Sequence, residues 1–520
     1  MEDINKKRKK KRDLVKIALN VLKVFELILF VLFEVFVFYF TYVKASFLIS
    51  TFRVIYFVVK MALIFYIMFR KDSATYKLYW FLIITLIPVI GIIVYFIFGY
   101  SRYSKKELER IKKINQDSSK YLMDNFELLD SIEDNTKNME FNYLYKMVGF
   151  PIYKSQGIEY LKTGEEFFES LIAELKNAKK YILIELYIIS KGDLLDKILK
   201  ILCEKANQGV RVKIIADSLG SIFKKPKKLQ SYLAENKIEL IFFNNNIFNV
   251  IRYASFRDHR KIIVIDGRCA YTGGINIADE YINVDEKYGY WKDGGIKLYG
   301  KPVKSYIVMF GRMYEKILNK SFNYDEYIKQ IADNFEDEVG YVMSVEQSPE
   351  NNKNSIEAAY VNAIYNAEKY IYIATPYLVL PESVAISLIT AARKGVRVRI
   401  AVPGVPDKIL VNKITKSFYQ ICLEAGIEIY EYVPGFIHSK LFLIDGNFCI
   451  AGSVNFDYRS FNLNYECMNI MYKTSCERKM LDDFNEIFEN SNKINLKDFM
   501  KRPIFEQIIE IICRLFTPIV

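Results

Sequence analysis

At 520 residues the chain exceeds one ordinary domain, and length alone sets an expectation of two or three folded units. A hydrophobic content of 51% with 15% aromatics excludes disorder, and seven cysteines, odd in number and without C-x-x-C spacing, suggest neither a disulfide framework nor a structural zinc site and fit a reducing compartment. The net charge of +12 is uneven, because Lys6 to Arg12 supplies seven of it, so the remainder is only mildly basic and a nucleic-acid reading is weakened.

After the basic tail, residues 1–13, come three apolar stretches, Ile17 to Val43, Ala45 to Phe69 and Leu78 to Phe98. Each is long enough to cross a bilayer, for which about 20 residues suffice. A signal peptide is disfavoured, since the first stretch is too long, lacks a small-residue cleavage site and is followed at once by another. The first two stretches carry Lys23, Glu26, Glu34, Arg53 and Lys60. An antiparallel hairpin turning near Val43 and Lys44 would set Glu34 level with Arg53 and Glu26 level with Lys60, which relieves charges that are costly in hydrocarbon; the alternative is a pair of interfacial helices whose charges face water. The third stretch is interrupted by Pro88 and Gly91. The tail, the loop 70–77 and the segment 101–113 are all basic, and three full spans cannot put all of them on the cytoplasmic side. Either the third stretch re-enters without crossing, or the catalytic part lies outside; the free cysteines favour its placement on the cytoplasmic face. The tail is expected to act as a topology signal and an anchor on anionic lipid.

Ser104 to Met147 is charged and helix-prone and reads as a solvated connector. From Lys162 onward helix and strand patterns alternate, and the alternation repeats. NAKKYILIEL at Asn177 returns as NAEKYIYIAT at Asn366, and GVRVKI at Gly209 returns as GVRVRI at Gly395. The expected architecture is therefore α/β, two tandem repeats over 151–335 and 336–490 related by a pseudo-twofold axis. They are preceded by an α-helical membrane segment over 14–100 and a connector over 101–150, and followed by an amphipathic segment over 491–520. In that last segment Glu506, Glu510 and Arg514, four apart, share one helical stripe and leave a broad apolar face, for docking on a membrane or packing on the core.

Each repeat contains one copy of a denser pattern. Asp258 to Asn276 reads DHRKIIVIDGRCAYTGGIN and Ile437 to Asn455 reads IHSKLFLIDGNFCIAGSVN, so His259, Lys261, Asp266, Gly273 and Asn276 recur as His438, Lys440, Asp445, Gly452 and Asn455. The chain holds only two histidines, and each opens one copy. KIIVI and KLFLI have the length and β-branched or aromatic character of buried strands, and each ends in Asp-Gly, a hairpin signal. Side chains two apart on a strand share a face, so each His projects with its Lys. The return strands deliver Gly273-Gly274 and Gly452-Ser453, where small residues let backbone N–H groups approach a ligand, and then Asn276 and Asn455. A cation, an imidazole and an amide at one strand edge suit a phosphate.

The doubled pattern resembles the phospholipase D superfamily, whose two halves share one active site. NFDYRSFNLNYE from Asn455 to Glu466, FRDHRKIIVIDG, and ATPY from Ala374 to Tyr377 resemble the bacterial cardiolipin synthases within it, as does the segment around Leu78 to Phe98. The likeness implies two phospholipase D-like repeats and a phosphatidyltransferase that moves a phosphatidyl group from one phosphatidylglycerol to another, giving cardiolipin and glycerol through a phosphohistidine. It implies His259 as nucleophile, following the superfamily's more frequent assignment, and His438 as general acid and then base, with Lys261, Lys440, Asn276, Asn455, Gly273 and Ser453 around the phosphate. Asp266 and Asp445 belong to the catalytic signature, yet each precedes Gly in a tight turn, which favours a structural role. A carboxylate fixing each imidazole is expected from Glu466 and, because Lys287 stands where simple spacing would put an acid in the first repeat, from Asp293. No metal or cofactor is required, and two histidines lack the further ligands a stable metal site needs. The partners implied are phosphatidylglycerol and anionic membrane lipid, not nucleic acid. A phospholipase D-type hydrolase differs only in its acceptor, a catalytically inactive membrane scaffold is opposed by the intact paired motifs, and a nuclease is disfavoured by the apolar stretches and the modest charge.

Overall fold

The β-branched and aromatic runs of both repeats become fully buried strands in a computed structural model that describes residues 47–517 apart from 71–73, 88, 100–102, 124–125, 223, 246–254, 333 and 352–353. In chain order the strands of the first half are β1 (Ile152–Lys154), β2 (Ile158–Leu161), β3 (Tyr181–Leu186), β4 (Arg211–Asp217), β5 (Glu239–Phe243), β6 (Ile262–Ile265), β7 (Cys269–Gly273), β8 (Tyr290–Lys292) and β9 (Gly295–Tyr299). Those of the second are β10 (Tyr341–Gln347), β11 (Tyr370–Ala374), β12 (Arg397–Pro403), β13 (Glu428–Tyr432), β14 (Gly435–Ile437), β15 (Leu441–Ile444), β16 (Phe448–Gly452), β17 (Glu466–Tyr472) and β18 (Ser491–Lys493).

Among the described residues two large sheets result, ordered β2-β9-β7-β6-β3-β4-β5 and β1-β10-β17-β16-β15-β11-β12-β13-β18, with a third of two strands, β14-β8. In the first, β3, β4 and β5 run parallel while β6, β7 and β9 add antiparallel neighbours, and β11, β12, β13, β15, β16 and β17 repeat the arrangement strand for strand. The mixed α/β fold with two like repeats is thus present. One element crosses the expected division: β1 lies within the span expected for the first repeat but pairs with β10 of the second sheet, Ile152 opposite Met343. The helix Val303–Leu318 touches β5, β6 and β7 of the first sheet and β10 of the second, and Tyr306 to Phe310 on it are wholly buried.

The Asp-Gly turns form as the dipeptides require. Asp266 and Gly267 have φ of 54° and 67°, and Asp445 and Gly446 of 52° and 73°, the left-handed values a tight hairpin turn needs. Each Asp carboxylate then accepts three backbone N–H groups at the entry to the neighbouring strand: Asp266 from Lys179 (2.7 Å), Lys180 (2.7 Å) and Tyr181 (2.8 Å), and Asp445 from Glu368, Lys369 and Tyr370 (2.8 Å each). Seven residues of extended chain, roughly 20 Å, separate each Asp from the His of its motif. Their place in the catalytic signature is corrected on this ground: they staple β6 to β3 and β15 to β11 at the far end of the sheet.

The connector is solvated along much of its length, with Lys105, Lys106, Lys112 and Lys113 exposed, but it is anchored to the fold. Its helix Lys105–Ser119 begins with a capping box between Ser104 and Glu107, buries Ile111 and Ser118, and is tied to the helix Val303–Leu318 and the residue following it by Arg110 on Asn319 Oδ1 (2.9 Å) and Arg312 on Ser118 Oγ (2.8 Å). One arginine from each helix reaches across to the other, while the connector's lysines face water.

The described residues up to Gly99 belong to a separate unit. Its helices are Phe47–Met68, Ala74–Leu86 and Ile90–Val94, followed by a π-helical turn Tyr95–Gly99. A Cβ on Gly91 would lie 2.5 Å from the Ile83 carbonyl oxygen, so the third apolar stretch doubles back at its interruption, and Trp80 packs edge-on against Tyr95 with centroids 5.1 Å apart. Among the described residues no helix is long and apolar enough to cross a membrane, so the expected spans are not confirmed. The basic tail, the first apolar stretch and hence Glu26 and Glu34 of the expected charge pairs lie outside the described residues.

Replacing Asp445 by Ala strips one carboxylate from three N–H groups that solvent can reach in its place, and with a single hydrogen bond to a charged group contributing about 1.5–3 kcal/mol net, denaturant titration should show a loss of about 2 kcal/mol or more while turnover per folded molecule stays within about twofold. Unchanged stability with abolished turnover would return the residue to the catalytic set.

Candidate active site

The strands preceding each histidine do not stay within their own repeat. Asp258 bridges to Tyr465, and the His259 N–H donates to the Tyr465 carbonyl at 3.0 Å. In the other half β14 pairs in parallel with β8, Ile437 opposite Lys292, and the His438 N–H donates to the Lys292 carbonyl at 2.7 Å. Glu466 follows Tyr465, and Asp293 follows Lys292. The two backbone pairings therefore bring a carboxylate of one repeat to the imidazole of the other: His259 Nδ1 lies 3.0 Å from Glu466 Oε1, and His438 Nδ1 lies 2.6 Å from Asp293 Oδ2. Asp293 thus stands in the same relation to the backbone as Glu466, which simple counting from Asn276 does not reveal.

The carboxylates differ in their surroundings. Glu466 also accepts from Ser453 Oγ, Ser460 Oγ (2.7 Å) and Asn464 Nδ2 (3.2 Å). Burial would raise its pKa, but His259, Lys261 and the Ser453 hydroxyl hold it below the ordinary glutamate value. Asp293 accepts the Gly294 N–H at 2.8 Å, and burial pushes it up to about 7. Gly274, the counterpart of Ser453, leaves room for it, because a Cβ there would come within 2.4 Å of Asp293 Oδ1.

Both histidines are nearly enclosed. Tyr187 meets the His259 ring edge-on at 5.1 Å between centroids, and Tyr281 meets that of His438 at 5.6 Å. Burial, with Lys261 close by and Lys440 adding to it, lowers His259 to about 4 against the pull of Glu466. Burial, then Lys440, Lys261 and His259, hold His438 well below its ordinary value. Each histidine thus senses the lysine of the other repeat, which puts both motifs at one site. Lys261 Nζ donates to the His259 carbonyl at 2.5 Å; Lys440 Nζ donates to the His438 carbonyl and lies 2.9 Å from His438 Nδ1. Burial lowers Lys261 to about 8 and Lys440 to about 7. Two crowded cations with few acceptors are what an anionic phosphoryl group would relieve.

The remaining expected residues divide. Asn276 accepts the Ile188 N–H at 3.0 Å and donates to the Tyr281 hydroxyl at 2.6 Å, so its amide is partly committed. Asn455 keeps a buried Oδ1 without a partner. Ser453 spends its hydroxyl on Glu466 and on the Cys467 N–H (3.0 Å). Gly273 sits inside β7, and the space its missing side chain leaves faces the Gly294 carbonyl oxygen, 2.5 Å from where a Cβ would be; close strand packing, not ligand approach, accounts for that glycine. Sequence reasoning missed Ser460, Asn464, Tyr187 and Tyr281. The first two lie inside NFDYRSFNLNYE, where polar residues flanking the entry to a strand are the available signal.

Comparison with known proteins accords with this geometry. Residues 171–289 and 360–490 match the family described as cardiolipin synthase, phospholipase D-like domain, and residues 58–99 match the phospholipase D-nuclease N-terminal family. A cardiolipin synthase of Alkalihalophilus pseudofirmus is 31% identical over 494 residues, covering 91% of this chain and 95% of its own, and cardiolipin synthase 1 of Bacillus cereus is 30% identical, covering 98% and 100%. The crystal structure of a phosphatidylserine synthase from Haemophilus influenzae shares the fold, with a TM-score of 0.55 at 18% identity over 74% of this chain and 98% of that one. With two like sheets, crossed histidine and carboxylate pairs, and relatives matched nearly end to end, the chain belongs to the bacterial cardiolipin synthases, phosphatidyl-transferring enzymes of the phospholipase D superfamily.

Proposed function

We propose that the protein is a membrane-bound cardiolipin synthase of phospholipid biosynthesis that takes a phosphatidyl group from one phosphatidylglycerol, releases glycerol, and passes the group to the terminal hydroxyl of a second. The observation that carries this reading is the crossed pairing, which gives one site two imidazoles in different electrostatic states. Nδ1–H of His259 donates to a firmly ionised Glu466, which leaves its Nε2 lone pair free and stabilises the positive charge the ring acquires on attacking phosphorus. His438 shares a proton with an Asp293 raised to about 7, a coupled pair in which the carboxyl holds the proton until an anionic substrate draws it onto the ring. That proton goes to the departing glycerol alkoxide as the phosphorus–oxygen bond breaks. His438, now neutral, takes the proton of the incoming hydroxyl, whose oxygen displaces His259 from phosphorus. Lys261, Lys440 and the amide of Asn455 neutralise the non-bridging oxygens as charge builds on them. Membrane residence is supported by the insoluble substrates and the three apolar stretches within the first hundred residues, and the cytoplasmic face by seven cysteines with no disulfide between them.

Purified protein given phosphatidylglycerol as sole lipid should yield cardiolipin and glycerol in equal amounts by mass spectrometry; phosphatidic acid as the main product would make it a hydrolase. The division of labour has its own test. On a phosphodiester with a nitrophenol leaving group, which needs no general acid, His438→Ala should still release nitrophenol and accumulate phosphoenzyme, whereas His259→Ala should lose both by about 10²–10⁴-fold. The reverse pattern would exchange the roles.

The charges set the pH dependence. His259 is lowered, so its neutral form persists down to about pH 4; Lys440 is lowered and Asp293 raised, both to about 7, so cation and stored proton are lost together as pH rises through that value. The profile of kcat/KM should accordingly be flat from pH 5 to 6.5 and fall on the alkaline side. Asp293→Asn should lower kcat by about 10²-fold or more without comparable change in stability.

A further inference from the structure

The C-terminal helix Ile504–Arg514 seats itself the opposite way from an ordinary surface helix. Its charged stripe faces the protein: Glu510 is buried and paired in fork fashion with Arg502 at 2.7 and 3.0 Å, Glu506 lies 3.8 Å from Lys413, and Arg514 stacks over the Phe418 ring at 4.1 Å. The apolar arc faces outward, with Ile504 71%, Phe505 69%, Ile508 46%, Ile511 66% and Ile512 51% exposed. These five positions span about 120° of a helix with 3.6 residues per turn, so they form one continuous strip. The contacts of residue 506 with 413 and of 514 with 418 make this helix run alongside, and in the same direction as, the helix Ile409–Ser417. Ile504 and Phe505 therefore lie at the same end as Ile409, 79% exposed, and Leu410, 42% exposed.

That end is the active-site end. Lys408, immediately before Ile409, donates to the Tyr377 hydroxyl at 3.1 Å, and the Tyr377 ring lies 6.4 Å from Phe436, which lies 5.9 Å from His438. Both apolar starts are preceded by exposed cations, Lys408, 3.5 Å from Asp407, and Lys501, 3.1 Å from Asp498. We propose that this strip and the Ile409–Leu410 corner form a bilayer-docking surface that sinks into the headgroup region of an anionic membrane and holds the mouth of the site against the lipids it consumes. The proposal rests on the lipid-transferring function above. A second copy of the chain fits less well. An eleven-residue helix offers a strip roughly 16 Å long and 10 Å wide, far short of the ~800 Å² per partner that a stable dimer buries. Aliphatic and aromatic side chains flanked by lysines are instead the composition of helices that lie in an anionic interface.

The test uses the full chain reconstituted in phosphatidylglycerol vesicles, with Cys513→Ser removing the one cysteine that is not buried. A fluorophore on Ile508→Cys, or on Ile409→Cys, should be quenched several-fold more by doxyl-labelled lipid than one on Lys369→Cys, beside the Asp445 turn at the far end of the sheet. Equal quenching at Ile508 and Lys369 overturns the proposal. The double change Ile508→Glu with Ile511→Glu should lower turnover on vesicles at least fivefold while turnover in mixed micelles stays within twofold. Equal losses in both media would assign the strip a structural role, and a halving of mass in detergent would assign it to a second copy; either result overturns docking. Absence of cardiolipin from wild-type protein in micelles would sink the proposed function instead, and the quenching would still report on docking by itself.

Discussion

The constraint on which the site depends is that neither repeat can orient its own histidine. His259 reaches Glu466 and His438 reaches Asp293 because short parallel pairings carry the backbone at each histidine across to the other repeat. An imidazole without a fixed partner populates two tautomers and several ring orientations; one with a buried carboxylate on Nδ1 presents Nε2 in a single direction. Crossing the pairs makes that alignment conditional on docking of the two halves, so catalytic geometry and inter-repeat packing are one property. It also explains why two sheets so alike in strand order and register are held as one unit with a continuous core.

Duplication leaves the halves similar, and small departures give each its own electrostatics. Ser453 donates a hydroxyl to Glu466, whereas its counterpart Gly274 donates nothing to Asp293 and merely makes room. Arg260, between His259 and Lys261, is wholly buried among Glu185, Asp258 and Glu346, and its counterpart Ser439 has no such role. The arginine ties a strand of each sheet to the loop bearing His259. Stripping charges of water is costly unless each finds partners, and this triad of carboxylates supplies them where the two sheets meet.

Much of this was legible in the sequence because it is local or repeated. Strand runs, Asp-Gly turns and the order of elements recur at matching offsets, and recurrence separates signal from chance. The identity of the second carboxylate was reachable only through the WKD stretch, since its place is set by register against a strand from the other half. Charge content shows the exposed face of the connector helix but not its anchorage, because the burial of Ile111 and Ser118 and the reach of Arg110 to Asn319 depend on a helix about 190 residues further along the chain. The C-terminal stripe was read correctly as a stripe, but the sequence carries no sign of which side faces inward until Arg502 is seen to neutralise Glu510.

The position of β1 has a consequence for how the protein is made. This strand leaves the ribosome before either sheet exists, yet its partner β10 begins some 190 residues later, and β10 in turn relies on β17, whose first residue is Glu466. The first repeat can therefore collapse during synthesis only with a stranded edge segment and an unguided His259. Non-local pairings of this kind close late because loop entropy is spent before the contact rewards it. A nascent chain thus carries a silent half-site until Glu466 has been made and β17 threads into place beside β10.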